Sequence, residues 1–345
     1  MSAVIRTLRS GEEETLLELL DGWELPDGWR GRDFFRRYVE DDPTFQPENV
    51  WVAEQGASLQ ACVQIFPRRL YAEGHALPAG GIGSVFTRPE ARGEGLASAL
   101  LERATGAMRE RGLEVALLFT DRIGFYAARG WSEWPLRARW IERRTEGVEL
   151  RSGSIVDFEG ERDLDAVRSL HAAYSERTIG VALRDVAAWR GSLRIAGNPA
   201  EDFRVAREGD ALRAYVRAVV LEGVLVISEV GFEADAVERL VDLVADLLEP
   251  RTPDPLAAAR GDSSALRVRA VLPPIEDPDL DAALAARGLI AKSVPWNGVM
   301  LRCVDAEALA RRLDAPAPRS AEEQTSLLRR CLPPERFTFW PADRF

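Results

Sequence analysis

The chain has 345 residues, a formal charge of -11, 46% hydrophobic residues and 29% charged ones. That length points to two domains, and that balance to packed cores and not to wholesale disorder. The acidic field argues against nucleic acid and anionic lipid as partners and concentrates cationic small molecules instead. No stretch has the apolar length of a bilayer span, and the first residues lack an apolar signal core, so the expected location is the cytoplasm. Cys62, Cys303 and Cys331, with His75 and His171, are too few and too scattered for a disulfide framework or a metal site. No metal is expected.

Residues 3–8 read as a strand and 11–20 as a helix with Leu16, Leu17 and Leu20 on one side. A second helical stretch at 33–39 follows an aromatic loop. Three β-rich runs come next, at 50–54, 61–70 and 82–87, bounded by Gly and Pro. After a glycine loop, Leu96, Leu100, Ala104, Ala107 and Met108 fall at helical spacing until Gly112 stops them. The apolar run 115–119 has the pattern of a buried strand. A short helix at 124–129 and a strand at 136–143 complete the first half. The second half repeats that order: strand 155–158, helix 164–174, strands 203–207, 212–220 and 224–230, then a helix carrying Val237, Leu240, Val241, Val244 and Leu248 on one face. Later strands at 266–271 and 299–304 flank a helix at 279–288. Where the first half has its glycine loop, this half has Glu229-Val230-Gly231-Phe232-Glu233, acid where a phosphate needs amides.

The loop itself runs Thr87-Arg-Pro-Glu-Ala-Arg92-Gly93-Glu94-Gly95-Leu96-Ala97-Ser98, from a strand into an amphipathic helix. Glycines at 93 and 95 let backbone amides turn inward with no Cβ in the way. The helix adds unpaired N–H groups and the positive end of its dipole, together an anion site fit for a diphosphate. Arg92 supplies a charge-assisted contact. A dinucleotide-binding loop is a rival, with a small residue at Ser98 and an acid at Asp121, but its first glycine follows the strand at once, whereas Arg88 to Arg92 intervene here. No Gly-Lys-Ser/Thr follows, which rules out a P-loop.

Two motifs in order, Arg92-x-x-Gly95-x-Ala97 and Phe125-Tyr126-x-x-x-Gly130-Trp131, resemble the GCN5-related N-acetyltransferase (GNAT) family. The resemblance implies an α/β fold with acetyl-CoA, as co-substrate, held in a V-shaped gap between two splayed strands. Backbone groups of Val85, Phe86 and Thr87 would then pair with the pantetheine arm, and residues 92–98 would take the diphosphate. A wider set of segments, including Asp41-Asp42-Pro-Thr-Phe45 and Gly80-Gly-Ile-Gly-Ser-Val-Phe-Thr87, is similar to the enhanced-intracellular-survival (Eis) type of bacterial acetyltransferase. That type implies tandem GNAT domains, the second degenerate, here placed at 1–147 and 148–305. Its third, sterol-carrier-like domain has no counterpart, since a short tail at 306–345 replaces it. The degenerate half is a candidate homo-oligomer interface by the same resemblance.

Amide formation from a thioester needs a neutral amine, yet an alkylamine at pH 7 is mostly charged, and neutralising it costs roughly 4.6 kcal/mol. Tyr126 is the candidate acid for the leaving thiolate. Neither histidine lies near a motif, so the Eis-type resemblance supplies the candidate base: the C-terminal carboxylate of Phe345. The alternative is a carboxylate left in solvent. Trp23, Trp29, Phe34 and Phe35, beside Glu24, Asp27, Asp41 and Asp42, form the candidate pocket for a cation with an apolar body, an aminoglycoside- or polyamine-like amine. Core packing explains many of the same aromatics. Two other functions stay open: a protein or peptide amine as acceptor, and a non-catalytic acyl-CoA-binding regulatory module.

Overall fold

A computed structural model describes residues 3–25, 30–143, 154–196, 201–221, 224–249, 269–275 and 277–343. They form two seven-stranded mixed sheets. In the first, β1 (Val4–Thr7), β2 (Val50–Gln55), β3 (Ser58–Ala72), β4 (His75–Thr87) and β5 (Val115–Phe119) lie side by side in chain order. Their pairings are antiparallel except that of β4 with β5, which is parallel. Helices α1 (Glu13–Leu20) and α2 (Gly31–Glu40) seal one face, burying Leu16, Leu20, Phe35 and Tyr38 against Val50, Cys62, Phe66 and Phe86. Helix α3 (Leu96–Glu110) seals the other, with Leu100, Ala104 and Met108 packed among Ala53, Val63 and Ile82.

The halves then exchange strands. After α4 (Ile123–Ala127) and the short β6 (Ser132–Glu133), β7 (Leu136–Arg143) leaves the first sheet. The second sheet begins with β8 (Ser154–Asp157), β9 (Asp202–Glu208), β10 (Ala211–Leu221) and β11 (Val224–Phe232), followed by β12 (Arg269–Leu272) and β13 (Leu289–Trp296). Its spatial order is β13-β7-β12-β11-β10-β9-β8, so β7 sits between two strands of the other half. In return β14 (Val299–Cys303) joins the first sheet between β5 and β6. Helices α5 (Gly160–Ser175), α6 (Val186–Ala196), α7 (Val237–Leu247) and α8 (Leu280–Ala286) belong to the second half.

The boundary expected at 147/148 lies outside the described residues; on either side of it the sheets share strands, β7 completing the second and β14 the first. Periodicity marks β7 and β14 as strands but carries no information about which sheet completes their hydrogen bonds. The segment expected as a plain tail is core on both sides. Its helices α9 (Ala306–Arg312) and α10 (Ala321–Cys331) bury Leu309, Leu327 and Leu328 with Val115, Leu117 and Leu301 of the first sheet. Farther on, Phe337 and Phe339 join the same cluster, whereas Trp340 enters the second core with Tyr174 at 5.8 Å.

Gly180 is what lets that segment dock. Thr338 donates its backbone N–H to Ile179 at 2.7 Å, and Phe337 bridges to Ile179. Gly180 has φ +94°, and a Cβ there would lie 2.5 Å from the Phe337 ring. Gly180→Ala combines left-handed strain with a clash against packed core, each costing about 1–2 kcal/mol or more. Urea unfolding is expected to show at least about 2 kcal/mol lost, together with faster proteolysis in the 333–343 segment. An unchanged midpoint would mean that the tail is not seated through this contact.

Candidate active site

The parallel β4–β5 ladder is registered at Ala79↔Val115, Gly80↔Ala116 and Gly81↔Leu117. Beyond it the strands part: β4 continues to Thr87 along β3, and β5 continues to Phe119 along β14. A β-bulge accounts for the divergence. On β3, Val63 stands alone between Cys62↔Phe86 and Gln64↔Gly83, while β4 fits both Ser84 and Val85 into the same interval. A bulge bends and twists its strand. Ser84 takes up the bend with φ +49°, unusual for a residue with a side chain. Its hydroxyl donates to Gln64 Oε1 at 3.1 Å, and its carbonyl accepts from the Cys62 thiol at 3.1 Å, so the buried kink is hydrogen-bonded. Val85, Phe86 and Thr87 thus lie on the parted stretch of β4, with no ladder partner from β5.

At the wide end of this gap, Arg92, Gly93, Glu94 and Gly95 are exposed and lead into α3. Gly93 and Gly95 have φ +88° and +79°, and a Cβ on either would touch nothing within 4 Å. Conformation, not clearance within the chain, is therefore the reason for glycine here. Gly95 is the N-cap and provides no side-chain cap, so the first amides of α3, at Leu96, Ala97 and Ser98, point out of the helix without a cap acceptor. Leu96 itself is buried and anchors the turn. Arg92 donates through Nε to the Thr87 carbonyl at 3.3 Å, keeping its remaining N–H groups at the loop. Open amides, a helix dipole and a cation make a site that fits a diphosphate.

Tyr126 lies on α4, just past the end of β5, within the core cluster of Ile82, Leu96, Leu118 and Trp131. Phe125 and Trp131 meet its ring edge-on at 5.0 and 6.1 Å. Burial pushes its hydroxyl up to about 12; Arg122 and Arg129 oppose the shift and Asp121 adds to it. It is a protonated donor throughout the neutral range.

On the face away from α3, β4 offers Gly81 and Gly83, backbone without side chains. The orientation follows from Gly80, whose missing Cβ would lie 2.7 Å from Met108 on the α3 side. Next along this face come Phe86 and the Trp23 ring stacked on it at 5.9 Å. Of the four aromatics expected in an acceptor pocket, Trp23 borders the parted strand, and Trp29 lies outside the described residues. Phe35 is core, 4% exposed, while Phe34 is half-buried under the Arg37 guanidinium at 4.6 Å. The neighbouring acids are mostly committed. Asp42 is buried against Arg68 at 2.7 Å, and Asp41 pairs with Arg194 at 2.6 Å. Asp27 is outside the described residues, which leaves Glu24 exposed with no ion pair among them. Phe345 is likewise outside the described residues, and the described chain up to Asp343 ends against the second half.

In the second half the strands part in a similar way around a different interior. Strands β11 and β12 pair at Leu225↔Ala270 and Val226↔Val271, and β11 then continues to Phe232 paired with β10 only. Its middle carries Glu229, fully buried, bound by Arg184 at 2.8 Å, Arg217 at 3.3 Å and the Tyr215 hydroxyl at 2.7 Å. Arg184 also holds Asp343 at 2.7 Å. Burial alone would raise the Glu229 carboxyl; the two guanidiniums overcome it and hold the group below its usual range. At Gly231 a Cβ would lie 2.2 Å from the Tyr215 ring. Protein fills this gap. His171 is part of that filling, buried with Nδ1 3.2 Å from the Tyr215 hydroxyl, and His75 is a surface residue.

Among known proteins, residues 5–134 match the family model described as an acetyltransferase (GNAT) domain. A mycothiol acetyltransferase from Thermobispora bispora is 29% identical over 142 residues, covering 38% of this chain and 46% of that relative. The match thus spans less than half of the relative's length. The fold extends farther than the sequence likeness. A probable N-acyltransferase from Enterococcus faecalis superposes with a TM-score of 0.67 at 15% identity, covering 90% of this chain and 74% of that one. Eis1 from Mycobacterium abscessus does so at 0.60 and 18%, covering 90% and 75%. The parted strands, the glycine loop at a helix start and the family match agree: this chain carries, over residues 5–134, an acetyltransferase domain of the GNAT family.

Proposed function

We propose that the chain transfers acetyl from acetyl-CoA to a primary amine of a small cationic molecule, using one site per chain, in the first half. The observation that carries this reading is the conjunction of the parted β4 with the open amides at the start of α3. A thioester arm fits the first and its diphosphate the second. Bound coenzyme would supply an activated acyl carbonyl and a sulfur leaving group. Val85 to Thr87 would hold the pantetheine arm by backbone hydrogen bonds, as an added strand. Residues 92–98 would hold the diphosphate.

The amine approaches from the face away from α3, across Gly81 and Gly83 and beside Trp23. Its neutral form attacks; the C–N bond forms, the C–S bond breaks, and the nitrogen gives up a proton. Tyr126 donates a hydrogen bond to the departing sulfur. With the hydroxyl at about 12, outright transfer to a thiolate of ordinary pKa is uphill by about 5 kcal/mol. Tyr126 therefore stabilises negative charge on sulfur without surrendering its proton. The cationic acceptor rests on the net charge of -11, on Glu24 and on Trp23. The candidate base, the Phe345 carboxylate, remains part of the proposal.

Thiol release from acetyl-CoA across aminoglycosides and polyamines tests the reading. Amine-dependent turnover is expected, and coenzyme binding without turnover above hydrolysis overturns it. Tyr126→Phe should lower kcat by about 10²-fold, the lower part of the range for a positioned acid, with little change in the KM for acetyl-CoA. A variant with unaltered kcat would reduce Tyr126 to packing. In pH dependence, kcat should rise as the amine deprotonates and then stay level to about pH 11, because Tyr126 keeps its proton up to about 12. A descending limb near pH 10 that disappears in Tyr126→Phe would contradict this burial effect.

A further inference from the structure

Arg129, just past the end of α4, makes no ion pair among the described residues. Its guanidinium lies 3.8 Å over the Phe125 ring, and Nη1 donates to the Phe125 carbonyl. The other edge of the fork converges on one atom: Nε and Nη2 both donate to Ser98 Oγ, at 2.9 and 2.6 Å. A serine hydroxyl has two acceptor lone pairs and one proton. With both lone pairs facing Arg129, Ser98 has only its O–H left to give, and no acceptor for it stands among the described residues. Ser98 occupies the third position of α3, where its backbone N–H is also free of an intrahelical partner.

We propose that Arg129 is a positioning residue for the coenzyme's diphosphate. It fixes Ser98 as an outward donor and places an uncompensated positive charge behind the first turn of α3. The diphosphate would then meet the Ser98 hydroxyl in front and the Arg129 field behind, so the anion site draws on α4 as well as on the loop. A guanidinium is needed because two parallel donors must reach one oxygen while a third holds the Phe125 carbonyl; a lysine ammonium lacks that planar fork. This inference rests on the first half binding coenzyme A, and it adds a side chain outside the loop, Arg129, that acts on the phosphates through Ser98.

Equilibrium binding of coenzyme A and of phosphate-free S-acetylpantetheine to the full chain separates the possibilities. Ser98→Ala is expected to weaken coenzyme A binding about tenfold, the value of one charge-assisted hydrogen bond, and Arg129→Met to weaken it more, because it removes the charge as well as the orientation of Ser98. Neither should alter S-acetylpantetheine affinity, and the double variant should bind no more weakly than Arg129→Met. Arg129→Lys, which keeps the charge and loses the fork, should match Ser98→Ala; these two conservative variants decide the matter if Arg129→Met fails to fold. Losses that add in the double variant, equal losses toward both ligands, or wild-type affinity in Ser98→Ala and Arg129→Lys overturn the inference. A wild-type chain that binds no coenzyme A overturns the proposed function instead.

Discussion

The first half depends on two strands declining to pair. Parallel neighbours normally complete each other's hydrogen bonds, and an unmatched buried backbone group costs about 1–3 kcal/mol. Here β4 gives up β5 after Gly81 because its bulge at Ser84 and Val85 turns it away, and β5 gains β14 on its other edge. The bulge is affordable because β3 stays in register on both sides of it and because Ser84 bonds to Gln64. One extra residue in one strand thus leaves a free backbone edge on β4, and the same geometry leads the chain into the glycine loop and α3.

The second half faces the same constraint and resolves it with charge. Where β11 parts from β12, Glu229, Arg184, Arg217, Tyr215 and Asp343 form a buried network. Desolvating such ions is expensive, and they persist because nearly every donor has an acceptor. Comparing the halves shows why one keeps glycine at 81 and 83 and the other carries a glutamate. The first gap presents bare backbone at these glycines, and the second is filled by its own ion pairs. Asp343 belongs to that filling, so the end of the described chain is tied to the second half by an ion pair.

The parts of the site legible in the sequence were those coded locally. Gly93 and Gly95 precede a helical run, and their left-handed φ is a property of the loop alone. Tyr126 stands in a contiguous motif. What the sequence concealed is long-range. Phe35 and Trp23 look alike as aromatics near acids, yet α2 turns Phe35 into the core and leaves Trp23 against Phe86. Asp41 and Asp42 look available until Arg194 and Arg68, distant in the chain, neutralise them. The Ser98–Arg129 contact spans 31 positions, and the only hint of it was an arginine inside the aromatic motif.

The strand exchange has a consequence for what counts as the working unit. The family match ends at residue 134, but the sheet that shapes the site does not. Strand β5 forms one wall of the gap, and its outer edge is completed by β14, from 299–303. Its last residue, Phe119, packs on Phe339 with ring centroids 5.5 Å apart. Cutting the chain after the matched segment would expose the β5 edge and strip Leu117 and Val115 of Leu301, Leu327 and Phe337. An exposed edge and a bared apolar face are routes to aggregation. The residues proposed to hold the coenzyme are local to the first half, whereas part of the sheet edge and core packed behind them comes from β14 and the segment beyond it.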